Sequence, residues 1–408
     1  MIRTRRLRAA IVAAVVAMST VGVTVAAAPA QAVDDFYATP ASLPPNPGDI
    51  VRSEPSTFFL DPLKLIQADA NVQRIMYRST DRDGTGIAVT GTVITPNAAW
   101  TGGGERPVVA FAVGTQGLGD QCAPSKQLAA GSEYEGLFIQ GLVARGYGVV
   151  VPDYQGLGTE GLHTYVNRAV TGNAVLDAVR AAQRLPEANL PDNGRVGITG
   201  YSQGGGAAAA AGELAPTYAP ELSLRGVVAG ATPGDLTTVA NNLDGSLYFA
   251  FLGYAIAALA EGYDLDLTPY LNQRGLDTLA ALSGQCTIES IASFPFVRGA
   301  DLTTDGRSVP QLIQSEPFAT IVAEQLIGNG RKPTAPALVT HSLLDDVVPY
   351  AAGRNLAKRW CAQGAKVQLA TNIVPTHVGG ALASYPAAFV FLENRFAGRT
   401  FLNGCWLI

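Results

Sequence analysis

A chain of 408 residues with 48% apolar and only 15% charged side chains can bury a substantial core. That excludes intrinsic disorder and a miniprotein held together by disulfides alone. Its 28 Lys and Arg against 33 Asp and Glu leave a formal charge of −5, the wrong balance for a protein that grips a nucleic-acid backbone.

Residues 1–32 have the signature of a secretory signal peptide. The first ten residues hold four arginines and no acid, an apolar stretch runs on to about Ala28, and Ala30-Gln31-Ala32 supplies a small-x-small cleavage site. Cleavage there predicts a secreted, extracellular mature chain of residues 33–408. Without the leader arginines, 24 bases face 33 acids, a charge that suits a soluble protein and not an anionic membrane surface. No transmembrane segment is expected in the mature chain. Its most apolar piece, residues 247–263, is short and interrupted for a span.

In chain order, residues 33–58 are rich in Pro and predict irregular structure. Residues 71–96 carry two alternating apolar runs around Asp81-Arg82-Asp83-Gly84, a hairpin signal. Apolar runs at 106–113, 146–154, 195–202, 336–342 and 365–372 read as strands buried on both faces. The piece 222–235 reads as a further strand closed by a Gly/Pro turn. Helical patterns at 137–146, 171–185, 205–213, 351–364 and 381–398 separate them. The alternation predicts an α/β fold with a mostly parallel sheet flanked by helices. Between residues 237 and 329 the pattern turns mainly helical, which is too long for a loop. A helical lid or cap over 236–330 is therefore expected, inserted between an N-terminal part, 33–235, and a C-terminal part, 331–408. It would cover the carboxyl ends of the strands, where ligands of open α/β sheets bind.

The mature chain has four cysteines, Cys122, Cys286, Cys361 and Cys405. An even number in an oxidising compartment predicts two disulfides, with three pairings open. No C-x-x-C pair is present, which argues against redox or zinc chemistry, and no metal or cofactor is expected.

The sharpest motif is Gly200-Tyr201-Ser202-Gln203-Gly204. An apolar strand enters it and a small-residue run leaves it, the strand–turn–helix that holds a serine exposed and strained. Serine needs an adjacent base and an orienting acid to become a nucleophile. In this class the order along the chain is serine, acid, histidine. Of His163, His341 and His377, only the last two follow Ser202, and His341 precedes the nearest acids. His377 is the expected base, on a loop just before a helix. The acid lies in Asp345-Asp346, with Asp345 favoured and Asp346 expected to accept backbone N–H groups. His341 is expected to pack or hydrogen-bond near the acid loop, and His163 to be structural or a pocket wall. An oxyanion needs two backbone donors. One is the N–H of Gln203; the other is expected from Gln116, with Thr115 as runner-up, in Gly114-Thr115-Gln116-Gly117. Asp153, at a strand end well before the serine, is expected to fasten its loop.

These residues resemble the secretory lipase family of α/β-hydrolases, in its actinobacterial form. The resemblance rests on GTQGLGDQCAPS at 114–125, PDYQGLG at 152–158, GYSQGG at 200–205, HSLLDDVVPY at 341–350 and PTHVGG at 375–380. It implies Ser202, Asp345 and His377 as a triad, the N–H groups of Gln116 and Gln203 as an oxyanion hole, and disulfides Cys122–Cys286 and Cys361–Cys405. It also implies that the inserted helices roof an acyl tunnel. A fungal member of the family has an acidic residue at the position matching Gln116, so pH dependence is expected to differ while the backbone donor is kept.

The expectation is a secreted, monomeric serine hydrolase cleaving carboxylic esters, foremost a triacylglycerol lipase for medium or long acyl chains at a lipid–water interface. Apolar pieces at 247–262 and 292–297 would wall the acyl site. A short-chain carboxylesterase, an acyltransferase and a catalytically silent binding protein on the same scaffold are the competing readings.

Overall fold

The computed structural model describes residues 35–408, so the leader and its cleavage site lie outside the described residues. Among the described residues nine strands form one sheet: β1 (Ile50–Pro55), β2 (Ala70–Thr80), β3 (Gly86–Pro96), β4 (Val108–Ala112), β5 (Gly148–Pro152), β6 (Arg195–Tyr201), β7 (Ser223–Gly230), β8 (Ala337–Ser342) and β9 (Val367–Asn372). Their spatial order is β1-β2-β3-β5-β4-β6-β7-β8-β9. The pairs from β1 to β5 are antiparallel, and those from β5 across to β9 are parallel. This is the α/β-hydrolase arrangement, a mixed but mostly parallel sheet.

The predicted hairpin is β2–β3, in register from Ala70↔Pro96 to Thr80↔Gly86. Strands β4, β5 and β8 are buried at every position, as sheet strands covered on both faces require. Strand β1 was not expected in the Pro-rich start. It shows no in–out alternation, and it forms because β2 offers it a free edge, with Ser53↔Ile75 and Glu54↔Arg74 in register.

The helices are α1 (Pro124–Ala130), α2 (Gly136–Val143), α3 (Arg168–Arg184), α4 (Gln203–Tyr218), α5 (Leu236–Leu243), α6 (Phe249–Gly262), α7 (Gln273–Ser283), α8 (Thr287–Ser293), α9 (Val309–Leu312), α10 (Phe318–Glu324), α11 (Tyr350–Ala362) and α12 (His377–Phe396). Neighbouring residues of β7 show how they layer. Gly226 lies under Phe391 and Arg395 of α12, whereas Val227 meets Gly212 of α4. Alternate strand residues face opposite ways, so α4 and α12 cover opposite faces of the sheet.

Helices α5–α10 fall between β7 and β8, where the helical insertion was expected. The apolar piece around 247–263 becomes α6, whose Phe249, Ala250, Tyr254 and Ala258 are buried. Among the described residues no helix is long and apolar enough to cross a membrane. Cys122 pairs with Cys286, tying the loop after β4 to the insertion. Cys361 pairs with Cys405, tying α11 to the C-terminal tail. Helix α12 begins at His377, earlier than the pattern at 381 suggested. Thr376 takes φ 67° and its side chain caps the helix by accepting the Gly379 N–H at 3.1 Å.

Helix α4 enters unusually close to the sheet. A Cβ on Gly204 would lie 1.9 Å from the Ala112 carbonyl oxygen, and one on Gly205 2.1 Å from that of Gly230. Neither backbone can yield without breaking the sheet. Gly204→Ala is expected to lower the unfolding free energy by about 3 kcal/mol. Gly206→Ala, whose nearest neighbour would be a Pro233 carbon at 3.5 Å, is expected to be neutral or to stabilise by about 0.5 kcal/mol. Urea unfolding of the two variants checks the contrast.

Candidate active site

Four carboxyl ends of parallel strands converge here. The loop after β4 carries Gly114–Gln116, the turn after β6 carries Ser202, the turn after β8 carries Asp345 and Asp346, and α12 after β9 starts with His377. Ser202 stands at φ 58°, ψ −124°, between the last residue of β6 and the first of α4. A non-glycine residue there costs on the order of 1–3 kcal/mol. The close seating of α4 holds it in place. The Ser202 N–H donates to the Gly230 carbonyl at 2.9 Å and its own carbonyl accepts from Gly206 at 3.0 Å.

The two acids divide their work. Asp345 accepts the His377 Nδ1–H at 2.8 Å through Oδ2. Its Oδ1 accepts the N–H groups of Val347 and Val348 at 3.0 and 2.8 Å. Burial alone would raise this carboxyl; the hydrogen bonds from His341 and His377 outweigh it and hold the group well below the usual carboxylate range. Asp346 accepts the backbone N–H of His377 at 2.8 Å, so it fixes where the helix starts. His341 donates from Nε2 to the Val348 carbonyl at 2.9 Å and lies 3.5 Å from Asp345, bracing the acid turn.

With Nδ1–H given to a carboxylate, the lone pair of His377 sits on Nε2. That atom is buried and has no hydrogen-bond partner among the described residues. The structure therefore joins Asp345 to His377 and leaves the Ser202 hydroxyl unbonded to Nε2; hydrolase sites often carry that contact long until substrate binds. Tyr201, the residue before the serine, keeps the two together. Its ring centroid is 5.0 Å from that of His377, and its hydroxyl donates to the His377 carbonyl at 2.8 Å.

On the other side of the serine, Gln203 and Gln116 are both buried. The Gln116 N–H, one of the two expected oxyanion donors, has no acceptor among the described residues, and its carbonyl accepts from Thr287 of the insertion at 3.0 Å. Gln203 opens α4, where backbone N–H groups lack intrahelical partners. Its side chain donates to His163 Nε2 at 2.9 Å, while His163 Nδ1–H donates to the Gln155 carbonyl at 2.9 Å. Burial pulls His163 down to about 4, keeping it neutral, as an acceptor at Nε2 must be. His163 thus braces Gln203, a more specific place than a pocket wall. Asp153 accepts from Thr90 and Ser125 at 2.5–2.7 Å, fastening its strand end to α1.

A cavity opens onto Ser202 and Gln203. Its walls are almost wholly apolar and come mostly from the insertion, including Phe251, Ile256 and Leu259 of α6, Leu312 of α9 and Phe318 of α10, with Tyr165, Val166, Val347 and Val348 added from outside it. The piece 292–297, expected as a second wall, is not part of the lining, and Phe296 is exposed. The short helix α8 that leads into it is anchored instead by Cys286 to the loop after β4. Among the described residues no group of three or more His, Cys, Asp or Glu is arranged to hold a metal ion. Sequence reasoning did not single out Glu133, Tyr134 and Glu135, which border the Gly114–Gln116 loop. Only the unusual spacing of two acids beside a tyrosine could have drawn attention to them.

The secretory lipase family model matches residues 123–404. A secreted triacylglycerol lipase of Malassezia restricta is 27% identical over 349 residues, covering 81% of this chain and 72% of its own length. A probable inactive lipase of Mycobacterium tuberculosis is 27% identical over 377 residues, covering 90% and 82%. The closed state of Candida antarctica lipase A superposes with a TM-score of 0.81 at 22% identity, covering 91% of this chain and 88% of that one. The matched stretch spans the serine turn, the helical insertion and the His377 helix, and the chain belongs to the secretory lipase family.

Proposed function

We propose that this chain is a secreted serine hydrolase that cleaves carboxylic esters, and that it acts as a triacylglycerol lipase on medium or long acyl chains. The observation that carries the reading is an apolar cavity whose floor is a strained serine. Ser202 would attack the ester carbonyl while Nε2 of His377 takes its proton. Asp345 keeps that proton acceptor in the right tautomer and stabilises the imidazolium. The N–H groups of Gln116 and Gln203 would receive the oxyanion. Collapse of the tetrahedral species breaks the ester C–O bond, and His377 returns the proton to the leaving alcohol. Water, deprotonated by the same imidazole, then frees the acid and regenerates Ser202.

The cavity supports the lipase reading over the short-chain one. Each buried methylene is worth about 0.8 kcal/mol, so every carbon that enters strengthens binding several-fold. The helices of 236–330 serve in this reading as the lid and as the acyl wall. The membership in a family of secretory lipases and the secreted relatives support an extracellular site of action.

A fluorophosphonate is expected to label wild-type protein at Ser202 and to leave Ser202→Ala unlabelled, as read by intact-protein mass. Absence of both labelling and p-nitrophenyl ester turnover would instead favour a silent relative. Oleate esters in emulsion are expected to turn over at least as fast as butyrate esters; rates that collapse beyond hexanoate would assign the protein to the short-chain carboxylesterases. Asp345→Asn is expected to lower kcat by about 10³–10⁴.

The same carboxylate has a signature in stability. Its folded pKa lies below the unfolded value of about 3.9, so its contribution is present above about pH 4 and is lost as pH falls toward the folded value. The gap in unfolding free energy between wild type and Asp345→Asn is expected to narrow from about pH 6 to about pH 3. Urea titrations at the two pH values measure it.

A further inference from the structure

Three consecutive residues hold three consecutive residues beside the serine. The Gly114 N–H donates to Glu135 Oε2 at 2.6 Å. The Thr115 carbonyl accepts the Tyr134 hydroxyl at 3.1 Å. The Gln116 side chain donates from Nε2 to Glu133 Oε1 at 3.2 Å, and its Oε1 accepts from Gln127 at 2.7 Å. The clasp is itself tied together, because the Glu135 N–H donates to Glu133 Oε1 at 3.1 Å. Both carboxyls are buried, at 8% and 3% exposure for Glu133 and Glu135, while the Tyr134 ring stands half out. Glu135 reaches further. Its Oε1 accepts the hydroxyl of Tyr385, on the helix that begins with His377, and Tyr385 stacks on Phe138.

We propose that Glu133, Tyr134 and Glu135 are positioning residues that aim the Gln116 N–H at the developing oxyanion. The proposal rests on the hydrolase reading above and adds a function for a cluster which that reading leaves idle. A backbone donor stabilises an oxyanion only if it is fixed before charge develops. Gly114 and Thr115 precede Gln116 directly, so the bonds to Glu135 and Tyr134, together with a bond from the Thr287 hydroxyl to the same Thr115 carbonyl at 2.8 Å, set the peptide plane that carries the donor.

The clasp also couples that donor to pH. Burial raises both carboxyls, and for Glu135 the neighbouring Glu133 raises it further. Every group that faces the pair is acidic or neutral. Tyr385 comes from α12, Asp153 and Tyr154 from the end of β5, Tyr201 from the end of β6, and Tyr134 stands between the two glutamates. Among the described residues no cation pairs with either carboxyl to hold two negative charges. While protonated, the pair keeps the loop fastened with little charge behind the oxyanion. Once both carboxyls ionise, negative charge faces the forming oxyanion and opposes it.

The experiment is kcat and KM on a soluble p-nitrophenyl ester across pH, for wild type, Glu135→Gln, Glu133→Gln, Glu135→Leu and Tyr134→Phe. Losing an oxyanion donor outright costs about 10²–10³ in kcat. Glu135→Leu is expected to lose about 30-fold in kcat, with KM within about twofold. Glu135→Gln, which keeps an acceptor for Gly114, is expected to recover most of that loss. Tyr134→Phe, missing one bond at a half-exposed ring, is expected to lose a few-fold in kcat. The alkaline fall of wild-type kcat is expected to move up by at least about one pH unit in both Gln variants, each of which keeps a single ionisable carboxyl and cannot place two charges behind the oxyanion. A fall that stays in place in both, a Glu135→Gln as poor as Glu135→Leu, or a loss confined to KM overturns the proposal. Should Glu135→Leu not fold, the Gln profiles and Tyr134→Phe decide alone. Fluorophosphonate labelling separates the two levels: an unlabelled, inactive wild type removes the hydrolase reading and this one with it, while a labelled wild type with unmoved profiles removes only this one.

Discussion

The close approach of α4 to the sheet governs the rest of the structure. Two glycines let the first turn of that helix rest on the carbonyls that end β4 and β7, at distances no side chain would permit. The chain must then turn sharply between β6 and α4, and Ser202 takes the strained backbone that the turn requires. The strain is sustained by the buried strands and the hydrogen bonds to Gly230 and Gly206. Where the Ser202 hydroxyl stands is therefore set by packing in which that hydroxyl takes no part.

Around that turn, buried polar groups are paired so that each restrains the next. Asp345 orients an imidazole and caps its own turn. Asp346 sets the start of α12, and Tyr201 links that start to the residue beside the serine. His163 steadies Gln203, and the Glu133–Glu135 segment steadies the loop facing it. Polar groups buried this deeply are costly unless satisfied. Their partners come from many separate strand ends, so the site is rigid only when the sheet is complete. The insertion adds the apolar side chains, and Cys122–Cys286 pins it to the loop after β4.

Much of this was legible residue by residue. The buried strands announced themselves because a strand covered on both faces must be apolar throughout, as β4, β5 and β8 are. The serine turn was legible because its glycines have no other use. The order serine, acid, histidine narrowed three histidines to one, and the structure bonds that one to Asp345. Strand β1 was not legible, since its pairing is lent by β2 and leaves no mark in its own pattern. The start of α12 was misjudged because a cap at Thr376 and an acceptor at Asp346, distant along the chain, extend the helix back to His377. The assignment of 292–297 to the acyl wall failed for a related reason. Apolar composition does not say which way a segment at the end of a short helix will face.

The amino-acid order alone determined the class of fold, the place of the insertion and the residue types able to do nucleophilic chemistry, because periodicity and turn chemistry are local properties. Tertiary structure alone decided which of two adjacent aspartates meets the imidazole, which side chains wall the cavity, and that Glu133, Tyr134 and Glu135 grip Gly114, Thr115 and Gln116. Those are matters of contact between segments remote in sequence. Burial and hydrogen bonding settle them only once the strands have been brought side by side.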